Sequence, residues 1–231
     1  MNLLAFDTST ERLSVAVQRA DGERFAHAGA GGAQASAALI PAVLALLAQA
    51  GLGLGDLRAI VFGRGPGSFT GLRTACSVAQ GLAWGAERPV LPVDTLLAVA
   101  EAARQSHGAT RVLALLDARM GEVYRAAYVH ESAGWRTQAD IQVGAPETLA
   151  LPPGEGWALA GNVFAGYAER LPAALAGLPR IEAWPEAGVL LDLAPTLLAA
   201  GQALPATQAL PLYIRDKVAL TTAERERHGA A

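Results

Sequence analysis

Ala59-Ile-Val-Phe-Gly-Arg-Gly-Pro-Gly-Ser-Phe-Thr-Gly-Leu-Arg-Thr-Ala75 is an apolar strand that runs through a glycine-rich turn into a helix, and its reading decides the fold. Gly63, Gly65 and Gly67 allow positive φ or close backbone approach, and Pro66 fixes the bend between them. Ser68 or Thr70 can accept from the free N–H groups of the first helical turn. Leu72, Ala75, Cys76, Ala79, Leu82 and Ala83 then recur at helical spacing and predict a core-facing stripe over about Thr70 to Gly85. Two readings of the turn stand. Backbone N–H groups at a helix start form an anion site, which suits a phosphate cradle. The same residues equally suit a tight strand-to-helix crossover. Neither specific phosphate motif is met. A P-loop needs a lysine after its last glycine, and Lys217 is the only lysine in the chain. Counting from Gly63 or Gly65 puts Ser68 or Thr70 where the dinucleotide fingerprint requires its third glycine.

Outward from this stretch, 231 residues with 52% hydrophobic content have room for one large domain or two lobes with a real core. No apolar run reaches the roughly 18 residues of a membrane span without Pro, Gly or charge, and the N-terminus lacks a basic region, so the expected compartment is the cytoplasm. Cys76 is the single cysteine and sits in the helical stripe, which reads as a small core or interface residue. A net charge of -3 without any basic run gives no evident surface built to neutralise nucleic-acid phosphates. His27, His107, His130 and His228 are scattered, and none has the spacing of a metal pair.

In chain order, Asn2–Phe6 ending at Asp7, Leu13–Val17 and Arg24–Ala28 predict a three-stranded meander. A helix over Ser36–Ala50 follows, with Leu39, Ile40, Val43, Leu46 and Leu47 on one side and alanines over most of the rest. Pro41 lies in its first turn or kinks it. A helix apolar nearly all round is buried on both faces or meets a partner. The helix after Gly67 has a second face of Arg73, Ser77, Gln80 and Trp84, open to either solvent or a partner. Pro89–Val93 is a strand, and Asp94 caps a helix to about Gln105, which gives right-handed crossovers over a covered sheet.

From Arg111 the pattern begins again. Leu113-Ala-Leu-Leu-Asp117 then Val123-Tyr-Arg-Ala-Ala-Tyr128 mirrors Leu3-Leu-Ala-Phe-Asp7 then Leu13-Ser-Val-Ala-Val17. A repeat of this length predicts a duplicated fold, with lobes over 1–106 and 107–187 and a helix returning to the first lobe plus tail over 188–231. Within the second copy, Ile141–Val143 and Trp157–Ala160 read as strands, and a short helix ends near Arg170. Val189–Ala200 is a further helix, and Thr221–Ala231 is expected to be loose.

Three islands of this chain carry a resemblance. Gly63-Arg-Gly-Pro-Gly-Ser-Phe-Thr-Gly-Leu-Arg73, Phe6-Asp-Thr-Ser-Thr-Glu11 and Leu116-Asp-Ala-Arg-Met-Gly-Glu-Val-Tyr124 are similar to motifs of the TsaB (YeaZ) family, in that family's order, and Pro211-Leu-Tyr-Ile-Arg215 resembles its tail motif. The resemblance implies a two-lobed α/β fold of the actin-like ATPase, ribonuclease H-like class. It also implies a non-catalytic subunit that pairs through its first two long helices with a TsaD-like transferase, alongside a TsaE-like ATPase. Such a subunit forms a homodimer when alone, reaches tRNA only through the complex, and meets ATP only in the assembled complex.

The partner-facing residues are then Ser36, Leu39, Ile40, Val43, Leu47, Thr70, Arg73, Cys76, Ser77, Gln80 and Trp84. A nucleotide or anion would contact Asp7, Thr8, Ser9, Gly65, Gly67 and Ser68. In active actin-like members a glycine stands where this chain has Ser9, whose side chain hinders close phosphate approach. Asp7 is therefore read as a turn-holding residue, with a metal-holding role as the alternative. The paired histidines that TsaD-like subunits carry are missing from Gln34–Pro41, so no metal ligands or catalytic residues are assigned. Asp117, Arg119 and Glu122 are expected to pair with one another as a hinge between lobes. The rival readings are a free-standing actin-like ATPase or small-molecule kinase, with Asp7 holding magnesium, and a peptidase, for which no Ser–His–Asp set is visible.

Overall fold

The computed structural model describes residues 1–215. Tail residues 216–231, including Lys217, His228 and the Thr221–Ala231 segment, lie outside the described residues.

The first lobe is a five-stranded sheet in the order β3-β2-β1-β4-β5, built from β1 (Leu3–Asp7), β2 (Arg12–Gln18), β3 (Arg24–Ala30), β4 (Ala59–Gly65) and β5 (Val90–Asp94). β1 is antiparallel to β2 and parallel to β4. The second lobe repeats the plan with β6 (Arg111–Arg119), β7 (Glu122–Glu131), β8 (Gly134–Gly144), β9 (Ala158–Gly161) and β10 (Arg180–Glu182), in the order β10-β9-β6-β7-β8. Each strand of the first sheet has its counterpart five strands later, and β6 is again antiparallel to its successor and parallel to β9. The duplicated α/β fold expected from the two Asp-ended strands is the observed one.

The copies differ in their helices. The first lobe carries α1 (Ala35–Ala50) between β3 and β4 and α2 (Phe69–Ala86) between β4 and β5. The second has a single turn of 3₁₀ helix at Pro146–Thr148 and the four-residue α4 (Phe164–Tyr167) at the corresponding places. Only the first lobe therefore offers two long helices side by side. β8 is longer than the sequence indicated, occupying Gly134–Gly144, of which the pattern showed only Ile141–Val143, and the three-residue β10 was not read from the sequence at all. Residues 136–140 of β8 are all exposed and so carry no alternation of apolar and polar positions to read.

Alternation along β1 sends Leu4 and Phe6 to one side, with α1 and α2, and Leu3 and Ala5 to the other, with α5 (Ala187–Ala199). All four are fully buried, each worth roughly 1.5–3 kcal/mol for the larger side chains. The helix α3 (Thr95–His107) falls within the span assigned to the first lobe, yet Leu96, Val99, Ala100 and Ala103 pack on Val112, Ala114 and Leu116 of β6. It lies between the two sheets, against α5. Asp94 precedes α3 but makes no side-chain cap; its carboxylate takes Arg64 Nε at 2.6 Å instead.

Gly32–Ala50 is long and apolar enough, by length and composition, to cross a membrane, contrary to the expectation set by its Gly and Pro. One side of that apolarity is explained within the fold, because Leu39, Val43, Leu46 and Leu47 are buried on the first sheet.

Candidate functional site

The glycines of the Gly63–Gly71 stretch are received by this chain's own atoms, backbone at Gly65, Gly67 and Gly71 and the Asp7 side chain at Gly63. A Cβ at Gly71 would stand 1.8 Å from the Thr8 carbonyl oxygen, one at Gly67 2.4 Å from the Ser9 carbonyl oxygen, and one at Gly63 1.8 Å from Asp7 Oδ2. The α2 N-terminus thus sits directly on the turn that follows β1. Ser68 N–H donates to the Ser9 carbonyl at 2.7 Å, and Thr8 Oγ1 donates to the Gly71 carbonyl at 2.7 Å. Ser68 also caps α2, its hydroxyl accepting from Gly71 N–H at 3.5 Å; Thr70 plays no such part. Of the two readings of the loop, the tight crossover is the one seen.

Asp7 behaves as a turn-holding residue. Its Oδ1 accepts from the Ser9 N–H at 2.8 Å and from the Ser9 hydroxyl at 2.7 Å, while Oδ2 is buried with no hydrogen-bond partner. Burial pushes its carboxyl up to about 7, against the opposing pull of the two Ser9 bonds. Among the residues read as anion contacts, Asp7, Thr8 and Ser9 are 0–2% exposed, and the side chains of all three are committed to internal bonds. Gly65, at φ +122°, faces the carbonyl oxygen of Leu212 from the tail.

Beside this knot, a cavity of about 320 Å³ opens between the lobes. The Ser9–Glu11 turn and Phe69 form one wall, Asp117–Met120 the other, and Tyr213 to Arg215 line it as well. Asp117 accepts from the Arg119 N–H at 2.8 Å and from Tyr167 Oη at 2.9 Å, and its carboxylate pairs with the Arg119 guanidinium at 3.1 Å. Arg119 and Met120 hold φ of +60° and +55° in the β6–β7 turn, a conformation uncommon for residues other than glycine. Glu122 does not join this cluster as the sequence suggested. It pairs with Arg215 of the tail, because the hairpin directs it towards the tail segment that crosses the cleft.

The second candidate surface is the outer face of α1 and α2. The residues expected there divide. Ser36, Ile40, Thr70, Arg73, Ser77, Gln80 and Trp84 are exposed, with Ile40 at 43% and Trp84 at 68%. Leu39, Val43, Leu47 and Cys76 are buried in the first lobe's own core, so a placement of these four on the partner face is corrected. Cys76 donates its thiol to the Ala209 carbonyl at 3.1 Å, and burial pushes that thiol up. Leu44, 52% exposed, and Phe69, 40% exposed, stand on the outer face in their stead. An apolar-all-round helix gives no periodicity from which to choose between Leu39 and Ile40; the pitch of α1 on the sheet makes that choice. Arg73 lies over the Phe69 ring at 3.7 Å and donates from Nε to Tyr213 Oη at 3.0 Å.

Comparison with known proteins agrees with the geometry. The family described as "TsaD: tRNA N6-adenosine threonylcarbamoyltransferase" matches residues 30–218. The tRNA threonylcarbamoyladenosine biosynthesis protein TsaB of Escherichia coli K12 is 38% identical over 225 residues, 95% of this chain and 96% of that one. The Haemophilus influenzae TsaB is 36% identical over 94% of this chain and 95% of its own length. The solved structure of YeaZ from Pseudomonas aeruginosa superposes with a TM-score of 0.84 at 41% identity, covering 92% of this chain and 99% of that one. Two copies of one sheet plan, the interlocked turns and relatives matching nearly end to end lead to one conclusion: this chain belongs to the TsaB (YeaZ) family, of the TsaD-type, actin-like fold.

Proposed function

We propose that this chain is a non-catalytic scaffold subunit that docks on a TsaD-type transferase through the outer face of α1 and α2. In that role it is required for N6-threonylcarbamoylation of tRNA adenosine. A TsaE-type ATPase completes the assembly, and the isolated chain pairs with itself through the same face. The assembly works in the cytoplasm and the chain meets tRNA only within it. One observation carries the reading: across both helices the only charged side chain is Arg73, while Ile40, Leu44, Phe69 and Trp84 are exposed. Charge depletion with exposed aromatic and aliphatic side chains is the composition of an interface core, and such a pairing should bury on the order of 1,600 Å² in total. The names of the relatives supply the pathway. The commitment of the Asp7–Ser9 turn to internal bonds supports the absence of chemistry of its own.

The decisive experiment is reconstitution of tRNA modification with each subunit omitted in turn. Loss of modified adenosine when this chain is left out is expected; undiminished modification without it would overturn the proposal. The cavity between the lobes favours one rival, a free-standing ATPase or kinase. Calorimetry with magnesium-ATP on the isolated chain decides that case, and micromolar binding with turnover would establish the rival.

A further inference from the structure

Beyond α2, the chain lays down a third strip on the same layer. After α5, residues 203–215 run back along α2. Leu204 exchanges backbone bonds with Val90, the Cys76 thiol bonds Ala209, and Tyr213 stacks at 5.5 Å from Phe69 at the other end of the helix. Ala206 and Ala209 turn inward to join the core beneath α1 and α2. Between and beyond them Pro205, Thr207, Gln208, Leu210 and Tyr213 turn outward, Leu210 at 69% exposure.

We propose that this belt is part of the docking surface, so that a TsaD-type partner covers three strips rather than two helices. The inference rests on the docking role proposed above and extends it. Three observations support it. The run 200–214 contains no charged residue and no histidine, in a chain that is 17% charged. The low charge of α1 and α2 therefore continues across the belt, and the one cation within α1, α2 and the run 200–214, Arg73, is already held by Phe69 and Tyr213. A face with so little charge is poorly matched to water and well matched to another apolar face. Second, the belt and α2 enclose an open groove lined by Trp84, Pro89, Leu204 and Pro205 together with the charged pair Glu87 and Arg88, which gives a protruding side chain somewhere to seat. Third, the TsaD-type match spans residues 30–218, which includes α1, α2 and the belt. A partner built on that plan carries a counterpart of each strip, and the two faces can meet about a pseudo-two-fold axis.

The test is the affinity of the full chain for the TsaD-family transferase of the same organism, by calorimetry. Leu210→Arg and Gln208→Arg, both outward-facing, should each weaken binding about tenfold or more by burying a charge against an apolar partner, with unchanged circular dichroism and melting temperature. Thr137→Arg, on the exposed part of β8, should leave binding unchanged. If both belt variants bind like the unaltered chain while Ile40→Arg does not, the belt lies outside the interface and this inference fails, with the docking role intact. If the unaltered chain fails to bind the transferase, the docking role fails and the inference with it.

Discussion

At the scale of single residues, the glycine signature is a set of seats cut for particular neighbours. Gly71→Ala drives a methyl group into the Thr8 carbonyl, and neither backbone can yield without unlocking the α2 N-terminus from the end of β1. A loss of about 3 kcal/mol or more is expected in urea unfolding. Gly81→Ala, in the same helix but with open space around it, should stabilise the chain by roughly 0.5–1 kcal/mol. Asp7 offers a pH-dependent readout. Burial puts its folded carboxyl at about 7 and the unfolded chain returns it to the ordinary value of 3.8, so the folded state binds the extra proton between those values. Stability should therefore fall as pH rises from about 4 to about 7 and level off above. The Asp7→Asn variant should lack that decline, which amounts to on the order of 2–4 kcal/mol in pH-resolved denaturation. That the turn would need close approach was legible from Gly63, Gly65 and Gly67. What approaches was not, because a glycine records only the absence of a side chain, and a phosphate or a carbonyl oxygen would leave the same mark.

At the scale of elements, α1 shows where pattern reading stops. Its extent was legible to within a residue, since Ser36–Ala50 compares with Ala35–Ala50. Its orientation was not, for a row containing Leu39 and Val43 and a row containing Ile40 and Leu44 are equally apolar. The structure separates them: the first row is fully buried, and the second is about half exposed. Substitutions should separate them too. Leu39→Arg places a charge in the core and should unfold the chain, whereas Leu44→Arg should leave the melting temperature within a degree or two and abolish co-purification with the transferase. Leu44→Arg retaining the partner would exclude this face. The belt went unread for a different reason. Its one regular element is the three-residue 3₁₀ turn Ala206–Gln208, too short for periodicity to show, although the uncharged run from 200 to 214 was in plain view.

At the scale of the whole molecule, the two lobes are tied at opposite sides of α3. On one side, Trp135 Nε1 of β8 donates at 2.8 Å to Glu101 of α3. That carboxylate is buried, which works against its charge, yet bonds from Arg104, Gln105 and Trp135 hold its carboxyl below the usual range. Gln105 also reaches Asp192 of α5 at 2.9 Å. On the other side the tail spans the cleft. Leu212 N–H donates to the Arg64 carbonyl at 2.7 Å in the first lobe, Ile214 packs against the second lobe's core, and Arg215 pairs with Glu122. Arg215→Ala should release the second attachment only. Amide exchange at residues 117–122 should rise about tenfold while β1 and β4 stay protected, and Glu122→Arg with Arg215→Glu should restore protection. The duplication itself was legible from two Asp-ended strands; the tail's crossing was not, since it depends on a carbonyl meeting Gly65 from some 150 residues away.

The fit between the Gly63–Gly71 stretch and the Asp7–Ser9 turn bears on how ancestry and activity are told apart. Because the seats are filled from within, another polypeptide bearing both motifs can be expected to possess the same latch, whether or not it has ever handled a nucleotide. Searches that treat such a loop as a mark of energy metabolism will gather relatives by descent, and the trade each one practises must be sought on its outer surfaces.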